Sequence, residues 1–170
     1  EQTEKLDFLI QSLVKLSRME SGIIAVHSED TTIKQMLESI QQQFNVKVRE
    51  KNITLSLCDT DLHIRCDSKW TVEALGNIVD NAIKYTACGG NVQIKVEQYS
   101  FFVKIDIIDD GIGIEKEEIP KIFGRFYRSL SVADQPGVGI GLFLAREIIQ
   151  AQKGYIKVTS KRGKGSTFSV

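Results

Sequence analysis

The sequence predicts an α+β fold: a two-layer α/β sandwich, a mixed sheet with helices on one face, plus a separate N-terminal helix. Two observations carry this. Helix-period and strand-period segments come in blocks instead of alternating strictly, the pattern of a segregated α+β domain. The chain has 170 residues, 42% of them hydrophobic and 26% charged, enough for one well-packed domain with a helix or two to spare.

Residues 3–20 read as a helix. Leu6, Leu9, Leu13 and Leu16 fall at alternating spacings of three and four, the seam of a coiled coil or bundle, and Ile10 and Val14 widen it. Gly22 ends this helix. The breadth of the stripe favours bundling with something outside the domain over lying on the chain's own core. Residues 1–22 are therefore set apart from a domain at 23–170. Residues 23–26 are expected as a short strand. Asp30, Thr31 or Thr32 then caps a helix over 32–50, with Ile33, Leu37, Ile40 and Phe44 on one face. Segments 53–58 and 62–66 read as strands. Asp67 or Ser68 caps a helix running to Tyr85, its apolar face made by Val72, Leu75, Ile78, Val79 and Ile83. Gly89-Gly90-Asn91 turns the chain into a hairpin of 92–97 and 102–108. Residues 114–127 are expected to begin as a short helix and become irregular, and 129–137 to be a loop. A helix follows over 141–152. Strands at 155–160 and 166–170 close the chain around Arg162-Gly163-Lys164-Gly165.

Composition excludes several classes. Lys plus Arg total 22 and Asp plus Glu total 22, which argues against a protein that coats nucleic acid or an anionic membrane. No apolar run approaches the ~20 residues of a membrane span, and no signal peptide is expected. Cys58, Cys66 and Cys88 form no CxxC and lack histidines at zinc-ligand spacing, so a reducing compartment fits better than a disulfide framework. The sequence opens on Glu1, not Met, and is read as part of a longer protein.

Four clusters carry chemistry. Asn77, Asn81 and Lys84, followed by Tyr85, share one helical face. Asparagine is a poor helix former, so two of them one turn apart need a reason. A carboxamide oxygen suits magnesium and a lysine suits phosphate, although two solvent-facing polar residues would read the same. Asp109-Asp110-Gly111-Ile112-Gly113-Ile114 follows an apolar strand. A carboxylate there can accept from an exocyclic amine such as that of adenine, and the glycines let backbone approach a ligand. A plain polar turn is the other reading. Gly137-Val138-Gly139-Ile140-Gly141-Leu142 opens a helix and offers free N–H groups to an anion. It follows a loop instead of a strand, so it is not a dinucleotide fingerprint, and a flexible linker fits equally. Gly163-Lys164-Gly165-Ser166-Thr167-Phe168 lacks the earlier glycine and following helix of a P-loop and reads as a hairpin turn.

In this order the clusters resemble a known family. NIVDNAIKYT, DDGIGI, IFGRFYR, GVGIGL and GKGSTF are similar to the N box, the first glycine box, the F box and the second and third glycine boxes of bacterial sensor histidine kinases. These are the ATP-binding catalytic domains of two-component signalling, in the superfamily of DNA gyrase B, mismatch-repair ATPases and heat-shock chaperones. LIQSLVKLSRMESG resembles the second helix of the family's dimerisation and phosphoacceptor hairpin, and DSKWTVEAL also looks like the family. The resemblance covers essentially the whole chain and implies a Bergerat-type ATP-binding fold. It implies that Asn81 holds magnesium, with Asn77 supporting that face, and that Lys84 contacts phosphate. Tyr85 would pack near base or ribose, and Asp109 would take the adenine amine. Gly111 and Gly113 would let the base approach. Phe123 and Phe126 would anchor a mobile lid over 124–136, with Arg128 reaching the γ-phosphate. Gly137, Gly139, Gly141 and the adjoining Leu142 would hold the phosphates, and Thr167 would sit near the adenine. Ile140 stands where leucine is commoner. Such parts supply positioning and charge neutralisation, most of what phosphoryl transfer asks of a protein.

The implied cofactors are ATP and Mg2+. The implied partners are a response regulator receiver domain and a second copy of the parent through its hairpin helices, with no nucleic acid. The implied setting is cytoplasmic, the parent being anchored in the bacterial membrane by segments outside this sequence. One departure matters. The family's acceptor histidine lies on the first hairpin helix, but this sequence holds only His27, expected in the strand after the hairpin helix, and His63, expected in a strand before the N box, both as ordinary structural or surface residues. The resemblance therefore implies ATP binding without autophosphorylation. A non-catalytic nucleotide-sensing scaffold is the alternative. An ATP-hydrolysing relative would carry a general-base glutamate where this sequence has Asn77.

Overall fold

The computed structural model describes residues 26–129 and 137–170, together with residues 10, 14, 17, 132 and 135. The expected N-terminal helix and its leucine seam lie outside the described residues, apart from helical Ile10, Val14 and Ser17. So does most of the strand expected at 23–26, of which the described Val26 is not in a strand.

Ten elements follow in order. They are β1 (Glu29–Thr32), α1 (Ile33–Glu50), β2 (Thr54–Leu57), β3 (His63–Cys66), α2 (Ser68–Tyr85), β4 (Asn91–Gln98), β5 (Val103–Asp109), α3 (Gly141–Ala151), β6 (Lys157–Ser160) and β7 (Ser166–Ser169). The main sheet has the order β2-β4-β5-β7-β6. β2 runs parallel to β4, and the other pairs are antiparallel. β1 and β3 form a separate antiparallel pair, with Glu29 opposite Cys66.

Each helix turns its apolar stripe to the sheet. Ile33, Met36, Leu37, Ile40 and Phe44 of α1 are buried, as are Leu75, Ile78, Val79 and Ile83 of α2 and Leu144 and Ile148 of α3. They meet Val92 and Ile94 of β4, Ile105 and Ile107 of β5 and Phe168 of β7 in one core. Burial of this kind is the main favourable term in folding.

α2 is the central helix and is fixed at both ends. Asp67 caps its start, its Oδ1 accepting from Trp70 N at 3.1 Å. At its end Lys51 Nζ donates to the carbonyls of Ile83, Lys84 and Thr86 at 2.8–2.9 Å, satisfying groups that a helix C-terminus leaves open. The small Gly76 lets Phe44 and Gln43 of α1 approach. α3 runs antiparallel to α2. Its start lies against Asn77, while Gln152, just past its end, accepts from Asp67 N at 2.7 Å and bonds Thr71.

Two expectations are corrected. The short helix expected at the start of 114–127 is instead a chain of turns, with Glu118 N bonded to Glu115 O and Gly124 N to Lys121 O. Pro120 has no N–H to give and disfavours helical backbone at Ile119. His27 lies in no strand. Its N–H donates to Asp67 Oδ2 at 3.0 Å, whereas His63 is in β3 beside Asp30.

Candidate functional site

Strand parity places the first functional side chain. Ile105, Ile107 and Asp109 alternate along β5, and all are buried on the face toward the helices. The row that supplies core isoleucines thus ends in a carboxylate, 7% exposed, where sheet and α2 part. Between them lies a cavity of about 180 Å³. Asn77, Asn81, Lys84 and Tyr85 line it from α2, Asp109 from β5, and Gly113 from the following loop. Arg128, Gly137, Gly139, Gly141 and Leu142 close the far side. Asn77, Lys84 and Arg128, the three catalytic candidates, and most of the binding candidates therefore share one space.

The two aspartates of the DDGIGI run separate in role. Asp110 is tied to β4, taking Asn91 N at 2.9 Å and Asn91 Nδ2 at 2.8 Å, which hold its carboxyl below the usual range. Asp109 Oδ1 accepts from Gly111 N at 2.9 Å. Burial nevertheless pushes the Asp109 carboxyl up, against the pull of N–H groups from Gly111 and Ser166. A buried acceptor so placed suits an amine donor.

The lining also holds the cations Lys84 and Arg128. Burial, and then the charge of Arg128, lower the pKa of Lys84, while Asp80 opposes them. Lys84 Nζ lies 4.8 Å from the centre of the Tyr85 ring. Burial likewise raises the Tyr85 phenol. Asn77 Nδ2 donates to Glu73 O at 2.9 Å, and its Oδ1 lies by Gly141 at the start of α3. A Cβ at Gly141 would sit 2.9 Å from that oxygen, and one at Gly137 2.9 Å from Lys84 Nζ. This is a cradle kept open by glycines beside a helix N-terminus, suited to an anion.

Three expected residues do not line the cavity. Gly111 instead holds Asp109 and fits against Tyr85 O, which a Cβ would approach to 2.5 Å. Phe126 is exposed, with a positive φ of 60°, whereas Phe123 packs on the core. Thr167 lies on the other face of β7 because its neighbours Ser166 and Phe168 are the buried pair, and Ser166 lines the cavity. Ser166 sits opposite Asp109 in register. Sequence reasoning also missed Asp80, Glu118, Tyr127 and Arg162 in the lining. Asp80 was findable, three residues after Asn77 on the same helical face. The others come from turns without a periodic signal.

Among the described residues no group of three His, Cys, Asp or Glu side chains is placed to hold a metal ion. Among them also no helix is long and apolar enough to cross a membrane.

Residues 66–170 match the family described as histidine kinase-, DNA gyrase B- and HSP90-like ATPases. The chain is 33% identical over 173 residues to the sensor histidine kinase WalK of Bacillus subtilis (strain 168), covering 99% of this chain and 28% of that relative. Among solved structures it resembles the Acinetobacter baumannii histidine kinase AdeS at 26% identity with a TM-score of 0.79, over 99% of this chain and 79% of that one. Full-length ShkA in complex with AMPPNP shares the fold at 21% identity with a TM-score of 0.84, over 96% of this chain and 35% of that one. With five motifs converging on one cavity and a family match over most of its length, the chain belongs to the histidine kinase-, DNA gyrase B- and HSP90-like ATPase family.

Proposed function

We propose that this chain is the ATP-binding catalytic part of a two-component sensor histidine kinase. It binds ATP, and its γ-phosphate passes to a histidine that this sequence does not carry, for relay to an aspartate of a response regulator receiver domain. Residues 1–22 form the second helix of the dimerisation hairpin, and residues 23–170 form the catalytic domain. The parent is a membrane-anchored homodimer with this part in the cytoplasm.

The observation that carries the reading is polarity within one cavity. Asp109, a buried acceptor, lines the same space as Lys84, Arg128 and the glycine-lined start of α3. That is the charge pattern of a purine joined to a triphosphate. Asp109 takes the base amine, Tyr85 packs beside base or ribose, and Lys84 with the backbone at Gly137, Gly139 and Gly141 takes the phosphates. Arg128 reaches the γ-phosphate. Asn81 would hold Mg2+ through its carboxamide oxygen, and Asn77 would support that face. A single carboxamide fits a hard cation that keeps most of its ligands from substrate and solvent. When bound, Mg2+ would supply neutralisation of phosphate charge. Asn77 stands where a hydrolytic relative has a base, and its Nδ2 is spent on Glu73 O, which favours transfer over hydrolysis.

Calorimetric titration with AMPPNP and Mg2+ tests the pocket. Micromolar binding by the wild type, lost in Asp109→Asn, is the expected result. Adding labelled ATP and a separately supplied acceptor hairpin tests transfer. Label on the hairpin histidine and none on His27 or His63 supports the kinase. Tight binding without transfer supports a nucleotide-sensing scaffold instead.

A further inference from the structure

Three cations line the cavity among the described residues: Lys84, Arg128 and Arg162. The reading above assigns the first two to the phosphates. Arg162 has no part in it and lies on the β6–β7 turn, against the loop that follows Asp109. Its backbone is rigidly placed. Gly163 N donates to Ile112 O at 2.8 Å, and Gly113 fits so closely that a Cβ would lie 2.1 Å from Lys161 O. Its side chain, by contrast, is loosely held and 40% exposed. Nη1 is 3.4 Å from Gly113 O, and Nε is 3.7 Å from Glu115 Oε1. Contacts this long are weak. A fixed Cα under a weakly engaged guanidinium is a side chain free to swing onto a ligand at low cost.

We propose that Arg162 is a clamp for the nucleotide base. Its guanidinium plane closes over the purine held by Asp109, and Glu115 positions it at the rim. The proposal rests on the ATP reading above. A guanidinium stacks on an aromatic face as an ammonium cannot, so lysine does not replace it.

The test is calorimetric titration of the 170-residue chain with two probes, AMPPNP–Mg2+ and inorganic tripolyphosphate–Mg2+. Arg162→Ala and Arg162→Lys are expected to weaken AMPPNP about five- to tenfold, the size of a stacked cation–π contact. Tripolyphosphate should change less than about twofold, because it has no base to stack. The lysine variant keeps the charge and most of the stem, which separates stacking from misfolding. Unchanged AMPPNP affinity in Arg162→Ala overturns the clamp. So does an Arg162→Lys variant that binds like wild type, or an equal loss for both probes, since either makes Arg162 a general charge. Failure of the wild type to bind AMPPNP at all overturns the ATP reading, and the clamp with it.

Discussion

Asp109 sits where the helix-facing row of β5 runs out of core, and under the proposed function its burial serves ligand recognition at the expense of the empty fold. Its pKa is raised in the folded chain, so between the unfolded and folded values the native state holds the extra proton. Stability from this group is therefore full below the unfolded value of 3.8 and is lost as pH rises through the higher folded one. Asp109→Asn should raise the melting temperature of the nucleotide-free chain by a few degrees at pH 7 while removing AMPPNP binding. Near pH 3 the two proteins should melt together. A variant that melts lower at pH 7 would mean that the bonds from Gly111 and Ser166 outweigh desolvation. Lys84 has the opposite logic. Burial and Arg128 place its pKa below the usual 10.5, and a triphosphate would restore it. Affinity for AMPPNP should fall as pH climbs toward 10.5, and Lys84→Gln should flatten that slope while weakening binding about tenfold or more. Titrations in buffers of different ionisation enthalpy should show proton uptake on binding at the alkaline end.

At the scale of elements, the cavity's shape depends on two turns that press against each other. The loop after β5 and the β6–β7 turn are linked by Gly163 N to Ile112 O and by Ile114 N to Ser160 Oγ, both at 2.8 Å. Gly165 has φ +85°, and a Cβ there would lie 1.9 Å from Asp109 O. Gly163 has a similar φ of +74° but nothing within 4 Å of its missing Cβ. The pair separates sterics from backbone strain. Gly163→Ala should cost about 1 kcal/mol, the ordinary penalty of a left-handed residue. Gly165→Ala must also push β7 from β5, and should cost about 4 kcal/mol or more, or abolish folding. Urea unfolding midpoints measure both, and equal losses would show that the contact at Gly165 relaxes freely. This difference is invisible in GKGSTF as a string of letters. The sequence shows a turn with glycines, but which glycine is irreplaceable depends on Asp109, 56 residues earlier on β5.

For the molecule as a whole, what could be read beforehand follows periodicity. α1, α2, α3 and the β4–β5 hairpin carry strong 3.6- or 2-residue patterns and were legible to within a residue or two. β1 was not. Its EDTT has no apolar alternation, and it is a strand because β3 pairs with it. The site shows the same division. Asn77, Asn81, Lys84 and Asp109 lie on periodic elements and share the cavity, whereas Thr167 was one residue from the lining Ser166. Parity on β7 is set by pairing with β5, not by β7's own sequence. Pairing of distant elements also builds the end of the molecule away from the cavity. α2 runs about 27 Å, so Asp67 lies far from Lys84. There Gln152, just past α3, joins Asp67 and Thr71 of α2, and His27 N bonds the same Asp67. The antiparallel helices thus have a polar clasp at one end and a ligand cradle at the other. Gln152→Leu would leave Asp67 N and Thr71 Oγ1 without their partner and should cost about 1–3 kcal/mol in urea unfolding. Because the ends are well separated, AMPPNP affinity should stay within about twofold. The double variant Gln152→Leu/Asp109→Asn should match the sum of the single stability changes within about 0.5 kcal/mol. A larger departure would show that the clasp and the cradle move as one body, and that the position of the incoming chain at His27 is felt at Asp109.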